Sequence, residues 1–88
     1  MNNLDSVVKT PEQRAFVDDV VSILNNKNEI IMSYNNQEFV VDPHGKFIQV
    51  YSNGNVIAYY SDAIDFLTKH KIDDSNIIEL FSKIDYSI

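Results

Sequence analysis

Between residues 29 and 60 the chain alternates β-prone runs with turn signals, and the sheet this implies is apolar on both faces. The punctuation is Asn35-Asn36, Asp42-Pro43-His44-Gly45 and Ser52-Asn53-Gly54-Asn55. It predicts strands over Glu29–Tyr34, Gln37–Asp42, Lys46–Tyr51 and Val56–Tyr60. Asn-Asn and Asn-Gly tolerate the positive φ of two-residue hairpin turns. Asp-Pro-His-Gly fits a type I turn with Gly45 in the left-handed position of a G1 bulge. An antiparallel sheet on a protein surface normally shows water one polar face. Here the second face needs a cover of its own: a helix of the same chain, a second copy, or a partner.

These turns set a register in which Met32 faces Phe39, Val41 faces Phe47, Tyr51 faces Val56 and Phe47 faces Tyr60. One face then carries Ile30, Met32, Tyr34, Phe39, Val41, Phe47, Tyr51, Val56, Ala58 and Tyr60. The opposite face carries Ile31, Val40, Ile48, Val50, Ile57 and Tyr59. These six are the candidate partner-binding residues. A one-residue slip at the Pro-His-Gly turn would exchange half of each set, because side chains alternate with period two.

The flanking segments read as helices. Thr10 is the expected N-cap of the first, with Pro11 at the first helical position and Gln13 completing a capping box. Phe16, Val17, Val20, Val21, Ile23 and Leu24 form its apolar stripe, and Asn25-Asn26 is the expected exit. Ser61 is the expected cap of the second helix, with Asp62 and Asp65 in its first turn. A third helix is expected from Asp73, stapled by Ile72 and Ile77, with Ile77, Ile78, Leu80, Phe81 and Ile84 as its stripe and a frayed tail from Asp85. The fold class is α+β: a four-stranded antiparallel β-meander with one N-terminal and two C-terminal helices, in the order α-β-β-β-β-α-α. The 88 residues make a single small domain, with residues 1–9 forming a flexible arm or a single turn in which Leu4, Val7 and Val8 make one apolar patch.

Composition narrows the function classes. With no cysteine, disulfides, thiolate nucleophiles and cysteine-based zinc sites are excluded. Net charge is −6, and the seven cations are dispersed. That balance argues against direct nucleic-acid binding and against an anionic membrane surface, both of which reward clustered Lys and Arg. The N-terminus lacks the basic and apolar regions of a signal peptide, and no apolar run approaches membrane-spanning length. A cytoplasmic location is the expectation.

Candidate chemistry is sparse. His44 follows Asp42 by two residues and could form a general base or half a metal site; the competing reading is a turn residue. His70, with Asp73 and Asp74 behind it, has a loosely metal-like spacing; the competing reading is a cation at a helix C-terminus. Asp73-Asp74-Ser75-Asn76 lacks the glycine and distal glutamate of a calcium loop. Gly45 and Gly54 are both consumed by turns, which leaves no phosphate-cradling loop. The sequence therefore assigns no catalytic residue, metal ligand or cofactor.

The expected function is non-catalytic protein binding by a small acidic module, an inhibitor or adaptor of phage or mobile-element type acting on a host protein, with homodimerisation as one cover for the open face. Two alternatives stand beside it: an acidic mimic that occupies a nucleic-acid-binding groove, and a small hydrolase or metal-dependent enzyme using His44 or His70.

Overall fold

Thr10 starts the longest helix as its chemistry requires. In the computed structural model, which describes residues 4–88, helix α1 is a single turn (Leu4–Val7) and α2 spans Pro11–Asn25. The Gln13 amide donates to Thr10 Oγ1 and the Thr10 amide donates to Gln13 Oε1, both at 3.1 Å. This reciprocal box satisfies two of the amides that a helix start leaves unpaired. At the other end the Asn28 amide donates to the Ile23 carbonyl and the Lys27 amide to that of Leu24. That pairing is a Schellman closure. It places Lys27 at φ +65°, where glycine is usual. Of the expected arm, residues 1–3 lie outside the described residues, while Leu4 is buried.

The four expected strands are present as β1 (Ile30–Tyr34), β2 (Gln37–His44), β3 (Phe47–Ser52) and β4 (Asn55–Tyr60). Asn35-Asn36 and Asn53-Gly54 both turn with φ positive at each central residue. The middle turn differs from expectation. His44 pairs with Phe47, so the connection is the two-residue Gly45-Lys46, with Gly45 at φ +65°. Glycine at the first central position is the mark of a type II′ turn. Val41 consequently pairs with Val50 rather than Phe47.

This odd-numbered shift turns β3 over. Ile48 and Val50 join Ile30, Met32, Phe39 and Val41 on the inner face, and Phe47 and Tyr51 turn outward. A β-bulge between Val50 and Tyr51 then corrects β4 by one residue: Tyr51 pairs with Val56, but Val50 pairs with Ala58 and Ile48 with Tyr60. Ala58 and Tyr60 therefore stay inside, Val56 and Tyr59 face out, and Ile57 is the extra residue of the bulge.

The C-terminal third departs further from expectation. Helix α3 (Ala63–Lys69) is capped by Asp62, not Ser61. The Asp65 amide donates to Asp62 Oδ1 at 2.7 Å, and the Ser61 amide donates to Asp65 Oδ2 at 2.8 Å. The helix expected from Asp73 does not form. Asp73 and Asp74 take φ +52° and +67° and turn a two-residue hairpin between β5 (Lys71–Ile72) and β6 (Ser75–Asn76). A short 3-10 turn at Phe81–Lys83 leads to β7 (Asp85–Ser87).

The expected frayed tail is thus a fifth strand. The sheet order is β4-β3-β2-β1-β7, antiparallel throughout. Tyr86 fixes β7 in place: its ring stands edge-on to Phe16 at 5.6 Å, and its hydroxyl donates to Asp19 Oδ2 at 2.6 Å.

The helices and the β5–β6 hairpin contribute to one core with the inner face of the sheet. Phe16, Val17, Val20 and Leu24 of α2 and Phe66 and Leu67 of α3 cluster with Ile30, Met32, Val41, Val50, Ile77 and Ile78. No helix among the described residues is long and apolar enough to cross a membrane.

Candidate functional site

The outer face of the sheet has no covering element among the described residues. Its rows follow from the pairing register. One runs Val56–Tyr51–Val40–Ile31–Ser87 across all five strands, and the next runs Tyr59–Gln49–Asp42. Phe47 and His44 form a third at the β2–β3 turn. Large apolar side chains stand in water here: Phe47 is 38 % exposed, Val56 42 %, Ile57 55 % and Tyr59 62 %. The rings form a contiguous strip, with Phe47 5.5 Å from Tyr59 edge-on and 5.7 Å from His44.

Charge divides this face in two. From Phe47 through Ser61 no residue is charged, so β3 and β4 form a neutral apolar half. Glu29, Glu38, Asp42 and Asp85 fall on the half built by β1, β2 and β7. Tyr51 sits at the seam, where its hydroxyl donates to Glu29 Oε2 at 3.3 Å. Burial first, and then the Glu29 carboxylate beside it, holds the Tyr51 phenol above its usual range. Lys46 lies in the β2–β3 turn, where Lys27 Nζ donates to the Gly45 carbonyl at 3.4 Å.

Of the six residues singled out by sequence, four belong to this surface: Ile31 and Val40 half-buried at its centre, Ile57 and Tyr59 exposed toward its edge. Ile48 and Val50 do not. They are 5 % and 0 % exposed in the core, because the Gly45-Lys46 turn reverses β3. The same reversal brings in Phe47, Tyr51 and Val56, which the sequence register had placed inside. The deciding residue is Gly45, which by its chemistry can end a three-residue loop or open a two-residue one, and here opens the two-residue turn.

The histidines are far apart in character. His44 is exposed on the outer face, two residues from Asp42 along β2. His70 is buried among Phe39, Tyr60 and Phe66, with ring centroids 5.6, 5.7 and 5.3 Å away. Its Nδ1 shares a 2.9 Å hydrogen bond with Tyr60 Oη. Burial pushes its pKa below the usual histidine value, so it is not the solvated helix-end cation that its sequence position suggests. Asp73 and Asp74 are spent on the hairpin turn. Among the described residues no group of three or more His, Asp or Glu converges as a metal site would require.

Asn76 was not anticipated as a structural residue. Buried beneath α3, its Nδ2 donates to the Leu67 and Thr68 carbonyls at 2.9 and 3.1 Å, while Oδ1 accepts from the Ile78 amide at 2.8 Å. All three contacts are internal, so its polarity serves the fold.

Comparison of the chain with protein-family models, with curated proteins and with solved structures gave no match. The functional reading rests on the surface itself.

Proposed function

We propose that this chain is a non-catalytic protein-binding module, an inhibitor or adaptor that receives another protein on the outer face of its sheet. The observation that supports this is the uncovered strip of aromatic and aliphatic side chains beside four carboxylates. Exposed apolar patches of this kind mark interaction surfaces in soluble proteins. Tyr and Phe are suited to the role because they bury large area at low entropic cost. The partner's matching surface presents Arg or Lys over an apolar centre, complementary to Glu29, Glu38, Asp42 and Asp85. Steered association between opposite charges is fast and sensitive to salt.

The test begins with a photo-cross-linking residue placed at Val40 in one version of the protein and at Glu12, on the exposed side of α2, in another. A protein captured from the source cell at position 40 and not at 12 is then purified. Its affinity for the wild type should fall with rising salt and should drop by about 30-fold or more for Val40→Lys. Equal capture at both positions, or an affinity unchanged by Val40→Lys, would overturn the proposal.

A further inference from the structure

The two edges of the sheet are protected very differently. The β7 edge is three residues long and carries Asp85. Short edges and edge charges are how natural sheets avoid pairing with other chains. The β4 edge is six residues, Asn-Val-Ile-Ala-Tyr-Tyr, with no lysine, proline or acid. Its one protective device is the bulge against β3. Three of the four strongly exposed apolar residues of the outer face, Val56, Ile57 and Tyr59, lie on this strand, and the fourth, Phe47, touches Tyr59.

Charge indicates what fits there. Each chain carries −6, so two copies repel, and they repel least where neither presents a charge. Stacking outer face on outer face would bury Glu29, Glu38, Asp42 and Asp85 of each copy either against the same carboxylates of the other or, with the axis along the strands, against its uncharged half, and both arrangements desolvate unpaired charge. The uncharged stretch from Phe47 to Ser61 is where two copies can meet without that opposition. We propose that β4 pairs antiparallel with β4 of a second copy about a two-fold axis, forming one sheet of ten strands, five from each chain. Antiparallel pairing keeps both outer faces on the same side and leaves the two acidic halves at opposite ends. The pairing engages the backbone edge of β4, whereas the partner reading above engages the outer face, so the two are distinguished by which surface is protected even though both draw on the exposed residues of β3 and β4.

Sedimentation and light scattering on the full chain test this between about 10 µM and 1 mM, the range in which a weak specific dimer is populated. A reversible dimer is expected, and added salt should strengthen it by screening the like net charges. That is the opposite of the salt response expected for a basic partner, so the two proposals fail separately. Ile57→Lys and Tyr59→Lys should stay folded by circular dichroism, because both side chains are exposed. Each should weaken the dimer by about fivefold or more even though the net charge falls to about −5, since the two-fold axis sets the new ammonium near its own copy across the paired edges. Glu38→Lys, on the acidic half, should leave the dimer intact. In the wild type, amide-exchange protection that grows with concentration should centre on residues 55–60. A chain that stays monomeric throughout at high salt overturns the proposal. So does a dimer that survives both lysine variants, or one that protects residues elsewhere.

Discussion

Gly54 and Lys27 both hold left-handed backbone, and they predict opposite responses to substitution. Gly54 lies at φ +80°, and a Cβ built there meets nothing within 4 Å. A side chain would be strained by the dihedral alone. An L-residue in this region costs roughly 1–2 kcal/mol, with β-branched residues at the upper end. Gly54→Val should lower the melting temperature by about 4–8 °C or more; an unchanged melt would contradict the turn. Lys27 already bears that strain at φ +65°. Its Nζ reaches the Gly45 carbonyl at 3.4 Å, an exposed contact of little consequence. Lys27→Gly trades backbone strain against the greater freedom of glycine in the unfolded chain and should stabilise by about 0.5–1 kcal/mol. A lower melting temperature for that variant would show that the contact to Gly45 outweighs the dihedral.

At the scale of elements, α3 depends on a hairpin rather than on another helix. The last carbonyls of a helix need partners from outside it, and Asn76 supplies two of them to α3 from β6 while also holding the Ile78 amide. Asn76→Ala strands three polar groups at a buried site and should cost about 2–3 kcal/mol, read as a lower urea midpoint with an unchanged slope. A midpoint equal to wild type would mean that water replaces all three bonds. This hairpin also shows where the sequence stops being legible. The start of α2 was readable because a capping box is a local signal spanning four residues. Asp73-Asp74-Ser75-Asn76 is ambiguous: the same residues cap a helix or turn a hairpin, and the apolar positions from Ile77 to Ile84 fit a helical stripe. Positive φ at both aspartates decides for the hairpin, and no local pattern encodes that choice. The fifth strand was hidden for a different reason. Tyr86 is held by Asp19, 67 residues away, and by Phe16. For the candidate site, the existence of a second apolar face was readable from alternation alone. Its membership was half readable, because one turn of two residues instead of three reverses β3, and the bulge beside Val50 restores Ala58 and Tyr60 to the side first assigned to them.

At the scale of the whole molecule, the domain is a sheet with one face closed and one open, and two measurements report on that asymmetry. The first is pH. His70 joins α3 to β2 and β4 from inside the closed layer, and burial lowers its pKa below 6.5. The unfolded chain therefore binds this proton at a pH where the folded chain does not, so stability rises with pH in that window. The contribution is fully present above 6.5 and is lost as pH falls through the depressed value. The melting temperature should decline below pH 6.5, before carboxylates titrate near about 4, and His70→Gln should flatten that decline. A wild-type curve already flat there would place the imidazole in water. The second measurement is a pair of lysine substitutions one row apart. Val50 and Val40 lie on adjacent strands and point to opposite faces, Val50 fully buried and Val40 half-buried on the outer side. A domain of 88 residues has a stability of about 4–13 kcal/mol. An unpaired ammonium in the closed layer costs several kcal/mol, enough to consume much or all of that margin. On the open face the same ammonium stays hydrated. Val50→Lys should therefore lose its cooperative transition, while Val40→Lys should melt within a few degrees of wild type with unchanged circular dichroism. If both variants unfold, the outer face is covered as well; if both fold, the helices do not close the inner one.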